Sequence, residues 1–271
     1  MNGIRVFGLG AVLLAMPGGL AVAHEAEGET TPMTRGKPAQ CQAPEPLDVL
    51  FIGNSYMIMN QLPDVVAALG RHAGVELRTE LLAMGGKNFE YHVARSKTAD
   101  KLAERDWDYV VLQSHSLDTL RNREGFLEAG EALIDRVREA GAEPLLFETW
   151  ARKADASIYR FGKYGYTPGE MQAKVHDGYA ELSQRTGAKV IDVGKAWMAT
   201  SAKAPEINLY ASDNNHPGKP GSYLAANVVF AALTDLTPVD NVEPLLELDA
   251  VESRVLQTQA AAAIQPECLS F

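Results

Sequence analysis

Positive charge is in short supply in this chain. Only 25 lysines and arginines stand against 35 aspartates and glutamates, a formal net charge of -10 at pH 7. A surface of that sign repels phosphate, so no nucleic acid and no anionic membrane surface is expected as a partner. Long apolar runs are equally rare. The one that approaches membrane length, Val6 to Leu20, is interrupted by Gly8, Gly10, Pro17, Gly18 and Gly19 and stays short of the ~20 residues a spanning helix needs. With Arg5 ahead of it and Ala21-Val22-Ala23 behind, it reads as a secretory signal over residues 1–23. Export to the periplasm or beyond is therefore expected, with no stable membrane insertion after signal cleavage. Cysteine occurs twice, as Cys41 and Cys268 near the two ends. In an exported chain such a pair fits a disulfide joining the termini, which contributes about 4 kcal/mol in the chain-entropy model; two free thiols are the alternative.

Several site motifs are also missing. No G-x-S-x-G occurs, so the nucleophile elbow of the α/β-hydrolases has no support. There is no H-E-x-x-H, and the six histidines lie scattered without ligand spacing, which argues against a metal hydrolase. Neither G-x-x-x-x-G-K-[ST] nor G-x-G-x-x-G is present, so a nucleotide site is not indicated. No metal and no cofactor is expected.

What the chain does contain is an alternation of strand and helix patterns. Residues 24–46 are polar and rich in Pro and Gly, too poor in apolar side chains to repay ordering, and read as a flexible linker. From Leu47 the domain, residues 47–271, begins. Apolar or alternating stretches at 47–52, 75–84, 107–113, 143–150 and 188–193 read as strands. Between and after them, helices are expected near 65–74, 89–105, 125–140, 168–186, 222–235 and 250–264, several ended by Gly and one opened by Pro168. Strands apolar on both faces, separated by helices, predict a three-layer α/β/α sandwich around a five-stranded parallel, flavodoxin-like sheet. In such sheets ligands bind beyond the carboxyl ends of the strands.

The strand ends carry suitable chemistry. Ser55 follows the first strand in LDVLFIGNSY and stands at a helix start. A serine hydroxyl needs a base to become nucleophilic, and the base needs a third group to orient it. Asp213 and His216, in DNNHPG before the last large helix, have the spacing for that pair.

F-I-G-N-S-Y (51–56), M-G-G-K-N (84–88), V-V-L-Q-S-H-S (110–116) and D-N-N-H-P (213–217) together resemble, in order, the four sequence blocks of the SGNH (GDSL-like) hydrolases, serine esterases on a flavodoxin-like fold. The resemblance implies Ser55 as nucleophile, His216 as base and Asp213 as its partner. It also implies an oxyanion hole built on the backbone N–H groups of Ser55 and Gly86. The family's G-x-N-D is replaced by L-Q-x-x-S, and Gln113 is the expected substitute for the missing asparagine donor. The implied reaction is ester hydrolysis on a small-molecule or glycan substrate, O-acetyl carbohydrate first. An acyltransferase on the same triad and a non-catalytic glycan-binding module remain open. The connection 151–167 is aromatic and basic; with Trp150, Tyr164 and Tyr166 it reads either as a substrate pocket or as an ordinary packed loop. His92 is expected to be a packed histidine, and His115 and Ser116 to have structural roles in their loop.

Overall fold

The computed structural model describes residues 45–160, 166–238 and 245–264. The expected signal, nearly all of the linker, and Cys41 and Cys268 lie outside the described residues.

Five strands form one sheet: β1 (Leu47–Gly53), β2 (Leu77–Ala83), β3 (Tyr109–Leu112), β4 (Glu143–Phe147) and β5 (Lys189–Ile191). Every pairing is parallel and the order is β2-β1-β3-β4-β5. The helices are α1 (Ser55–Ile58), α2 (Leu62–His72), α3 (Phe89–Val93), α4 (Ser96–Leu102), α5 (Asp118–Arg121), α6 (Arg123–Glu139), α7 (Ser157–Arg160), α8 (Pro168–Thr186), α9 (Val193–Lys203), α10 (Lys219–Thr234) and α11 (Ala250–Ile264). Side chains alternate across each strand, so β1 feeds both faces of the sheet. Val49 and Phe51 join one core with α2, α9, α10 and α11; Leu50 and Ile52 join the other with α6 and α8. All four side chains are fully buried, which is why 47–52 reads as a continuous apolar run rather than an alternating one.

Two expectations need correction. The helix expected over 89–105 is two helices, because Arg95 is extended (φ -105, ψ 126) between α3 and α4. The Arg136 guanidinium donates to the Val93 carbonyl at 2.6 Å, supplying from another element the partner that a continuing helix would have provided. Helix α9 was not anticipated. Its N-cap Asp192 makes no side-chain cap, so no local signal separates it from β5.

The strand order reverses direction between β1 and β3. Their carboxyl ends flank the crevice at this switch point, and Ser55 leaves β1 there.

Candidate active site

Strand β1 ends at a glycine for lack of space. A Cβ on Gly53 would lie 2.7 Å from both Gln113 Oε1 and Met57 Sδ. Asn54 then turns the chain in extended conformation, and its side chain accepts the Tyr56 N–H at 3.1 Å as the N-cap of α1. Ser55 becomes the first residue of that helix, and its own N–H meets no acceptor among the described residues.

The 210–217 loop faces it. A bridge between Tyr210 and Pro217 closes the loop, and Ala211 donates to the His216 carbonyl at 2.8 Å. Asp213 Oδ1 accepts the N–H groups of Asn215 (3.1 Å) and His216 (2.9 Å), while Oδ2 lies 2.5 Å from His216 Nδ1. His216 Nε2 lies 2.8 Å from Ser55 Oγ. Burial works to raise the Asp213 pKa, but the His216 ring and the two N–H donors outweigh it and hold the carboxyl below its ordinary value. An ionised Asp213 keeps the proton on Nδ1 and leaves Nε2 to accept from the serine.

Aromatic packing anchors this loop. Trp150 stacks on Trp197 at 3.8 Å and on Tyr56 at 4.5 Å, and its Nε1–H donates to the Asn215 carbonyl at 3.1 Å. Tyr56 meets the His216 ring edge-on at 5.5 Å, and its hydroxyl contacts Ser116 Oγ (3.1 Å) and Asn215 Oδ1. Burial raises the Tyr56 phenol to about 12, so it stays protonated. Tyr56 and Asn215 carry no motif of their own; their positions beside Ser55 and His216 are the signal that could have found them.

On the far side of Ser55, the turn after β2 is tied down by Met84 N–H to the Gly53 carbonyl (3.2 Å) and Asn54 Nδ2 to the Lys87 carbonyl (2.8 Å). Gly86 occupies the left-handed region of this turn (φ 69), which glycine adopts without strain. Its N–H also meets no acceptor among the described residues. An activatable serine, an oriented base and two unpaired backbone donors together suit acyl transfer through a covalent intermediate.

No family model and no curated protein matches the chain. Solved structures do. A putative SGNH hydrolase from Slackia heliotrinireducens is 28% identical with a TM-score of 0.60, over 70% of this chain and 100% of that one. A DUF4886 family protein from Bacteroides uniformis superposes with a TM-score of 0.71 at 22% identity, over 81% of this chain and 95% of that one. An acetyl xylan esterase is 17% identical with a TM-score of 0.56, over 69% of this chain and 100% of that one. The fold is that of the SGNH, or GDSL-like, hydrolases.

Within this SGNH-like fold, three sequence expectations change. Gln113 is fully buried; its Oε1 accepts the Asn54 N–H at 3.0 Å and its Nε2 donates to the Ser114 carbonyl. Both polar atoms of its amide are engaged inside the protein and the side chain is wholly shielded from the surface, so Gln113 ties β3 to the turn before Ser55. Trp150, open between a pocket and a packed role, is also fully buried, in the stack that supports the 210–217 loop. Tyr166 packs, half-buried, against the α6/α8 core with Lys174 Nζ 5.2 Å from its ring centre. Tyr164 lies outside the described residues. His92 is buried and its Nε2 lies 2.9 Å from the Gly53 carbonyl, a packed histidine bracing the end of β1.

Beyond β4 and β5, one further group among the described residues has metal-ligand composition. Ligand atoms of Glu148, His176 and Asp192 lie within 4.8 Å of one another. Glu148 is already engaged by Gln172 Nε2 and His176 Nδ1, both at 2.8 Å. This arrangement pairs a buried carboxyl, Glu148, with an exposed histidine, His176.

Proposed function

We propose that the chain is an exported serine esterase that removes acyl groups, with O-acetyl esters on carbohydrate as the favoured substrate. One observation carries this reading: Asp213 Oδ2, His216 and Ser55 Oγ form an unbroken line with contacts of 2.5 and 2.8 Å. The ester class draws support from the folds it resembles, which include an acetyl xylan esterase and a GDSL-like lipase. The carbohydrate substrate is inferred from the former and from the expected export.

In the proposed reaction, Ser55 Oγ attacks the ester carbonyl carbon while its proton passes to His216 Nε2. The carbonyl π electrons move to oxygen, and the N–H groups of Ser55 and Gly86 accept that charge as hydrogen-bond donors. The intermediate collapses, the alcohol leaves with the proton from His216, and an acyl-Ser55 ester remains. Water then attacks, giving its proton to His216, and the second collapse releases the acid and restores the Ser55 hydroxyl. Asp213 stays ionised throughout and offsets the positive charge on the imidazolium.

The test is hydrolysis of p-nitrophenyl acetate and of acetylated xylan by the parent chain and by Ser55→Ala. Loss of acetate release in the variant is expected. A variant as fast as the parent would end the reading.

A further inference from the structure

We propose that His115 is a catalytic residue, its Nε2–H donating to the oxyanion alongside the N–H groups of Ser55 and Gly86; this rests on the esterase reading above. One side-chain donor of this kind is typically worth roughly 10²–10³ in kcat, so the vacancy left by Gln113 matters.

The ring is held by its flanks. Ser114 N–H donates to the Tyr179 hydroxyl at 3.2 Å, Ser114 Oγ donates to Asp118 Oδ2 at 2.6 Å and accepts the Phe89 N–H at 3.1 Å. On the other side Ser116 Oγ meets the Tyr56 hydroxyl, and Tyr56 in turn lies against His216. Both serines are buried, whereas His115 between them is only partly so. The loop that leaves β3 is therefore rigid and presents one side chain at the carboxyl edge of the sheet, one residue from the hydroxyl group that touches the triad's supporting ring.

The tautomer follows from a local bond. Leu117 N–H donates to His115 Nδ1 at 3.2 Å, so in the neutral ring Nδ1 is the acceptor and the proton sits on Nε2. That Nε2–H has no acceptor among the described residues. Burial, followed by the charges of Arg152, Arg121 and His216, holds the ring below the ordinary imidazole value. A neutral imidazole is a suitable donor here, because it stabilises a developing oxyanion without competing with His216 for the serine proton.

The experiment compares Ser55 labelling by a fluorophosphonate, whose phosphoryl oxygen occupies the oxyanion position, with kcat and KM for p-nitrophenyl acetate. The proteins are the parent, His115→Ala and His115→Asn, each with its melting temperature. His115→Ala is expected to slow labelling and kcat by about 10²-fold or more with KM little changed, and His115→Asn, which restores an N–H donor, to recover at least part of it. Parent labelling with an equally fast His115→Ala overturns this proposal alone. So does a loss in His115→Ala that tracks a lowered melting temperature and that His115→Asn does not relieve. No labelling of the parent at Ser55 overturns the esterase reading and the role of His115 with it.

Discussion

Tyr56 and Trp150 lie face to face, ring centres 4.5 Å apart and planes 7° from parallel. The residue that follows the candidate nucleophile is thereby packed against the residue that holds the carbonyl of Asn215, next to the candidate base. Trp150→Ala is expected to cost about 3–5 kcal/mol in chemical denaturation, the usual range for emptying a large aromatic site. Trp150→Phe keeps a ring in the stack but loses the bond to Asn215 and part of the indole's packing, and is expected to cost less than the alanine variant. Equal losses in the two variants would deny the stack its structural weight.

Asp213→Asn separates orientation from binding. The amide can no longer hold the His216 proton on Nδ1, so kcat should fall by as much as roughly 10⁴-fold while KM and melting temperature move little. Steady-state kinetics on a p-nitrophenyl ester decides it, and a variant within threefold of the parent would show that Asp213 is dispensable.

Gln113 is expected to act through stability. Gln113→Leu leaves the buried Asn54 N–H without its acceptor at a cost of about 1–3 kcal/mol, visible as a lowered denaturation midpoint. Gly53→Ala should weaken the same corner, since its Cβ would meet Gln113 Oε1 and Met57 Sδ at 2.7 Å. A Gln113→Leu protein of parental stability but low kcat would instead return Gln113 to the oxyanion hole.

The Glu148–His176 pair predicts a pH dependence of stability. Burial above all raises Glu148 from 4.5 to about 7, opposed by His176 and Gln172 and reinforced by Asp192. The bond to Glu148 raises His176 from its ordinary value, against burial. Both shifts mean that the folded state holds a proton the unfolded chain has released. Stability is then gained as pH falls through about 7 toward 4.5, and lost as it rises through the raised values. Melting temperature should be higher at pH 6 than at pH 8, and Glu148→Gln should flatten that slope; an unchanged slope in the variant would locate the titration elsewhere.

Much of this fold is legible locally. Helices α8 and α11 run over the predicted spans, because a Pro at N1 with a capping threonine, Gly187 after the last turn, and apolar spacing are short-range signals. The five strands are likewise visible as apolar or alternating runs, since a parallel sheet covered on both faces leaves few positions for polar residues. The Asp213 and His216 spacing is local too: an Asx turn binds the Asn215 and His216 N–H groups and brings carboxylate to ring within one loop.

Three matters depended on tertiary packing. Ser55 and His216 are 161 positions apart, and only the sheet order and the packing of α10 bring their side chains to 2.8 Å. The direction of the Gln113 amide was set by a buried N–H on a neighbouring strand end, which sequence spacing does not encode. The surroundings of Trp150 and His115 were decided for the same reason. Burial and hydrogen bonding depend on what the rest of the chain places around a residue, so an aromatic after one strand became core and a histidine after another kept a free N–H.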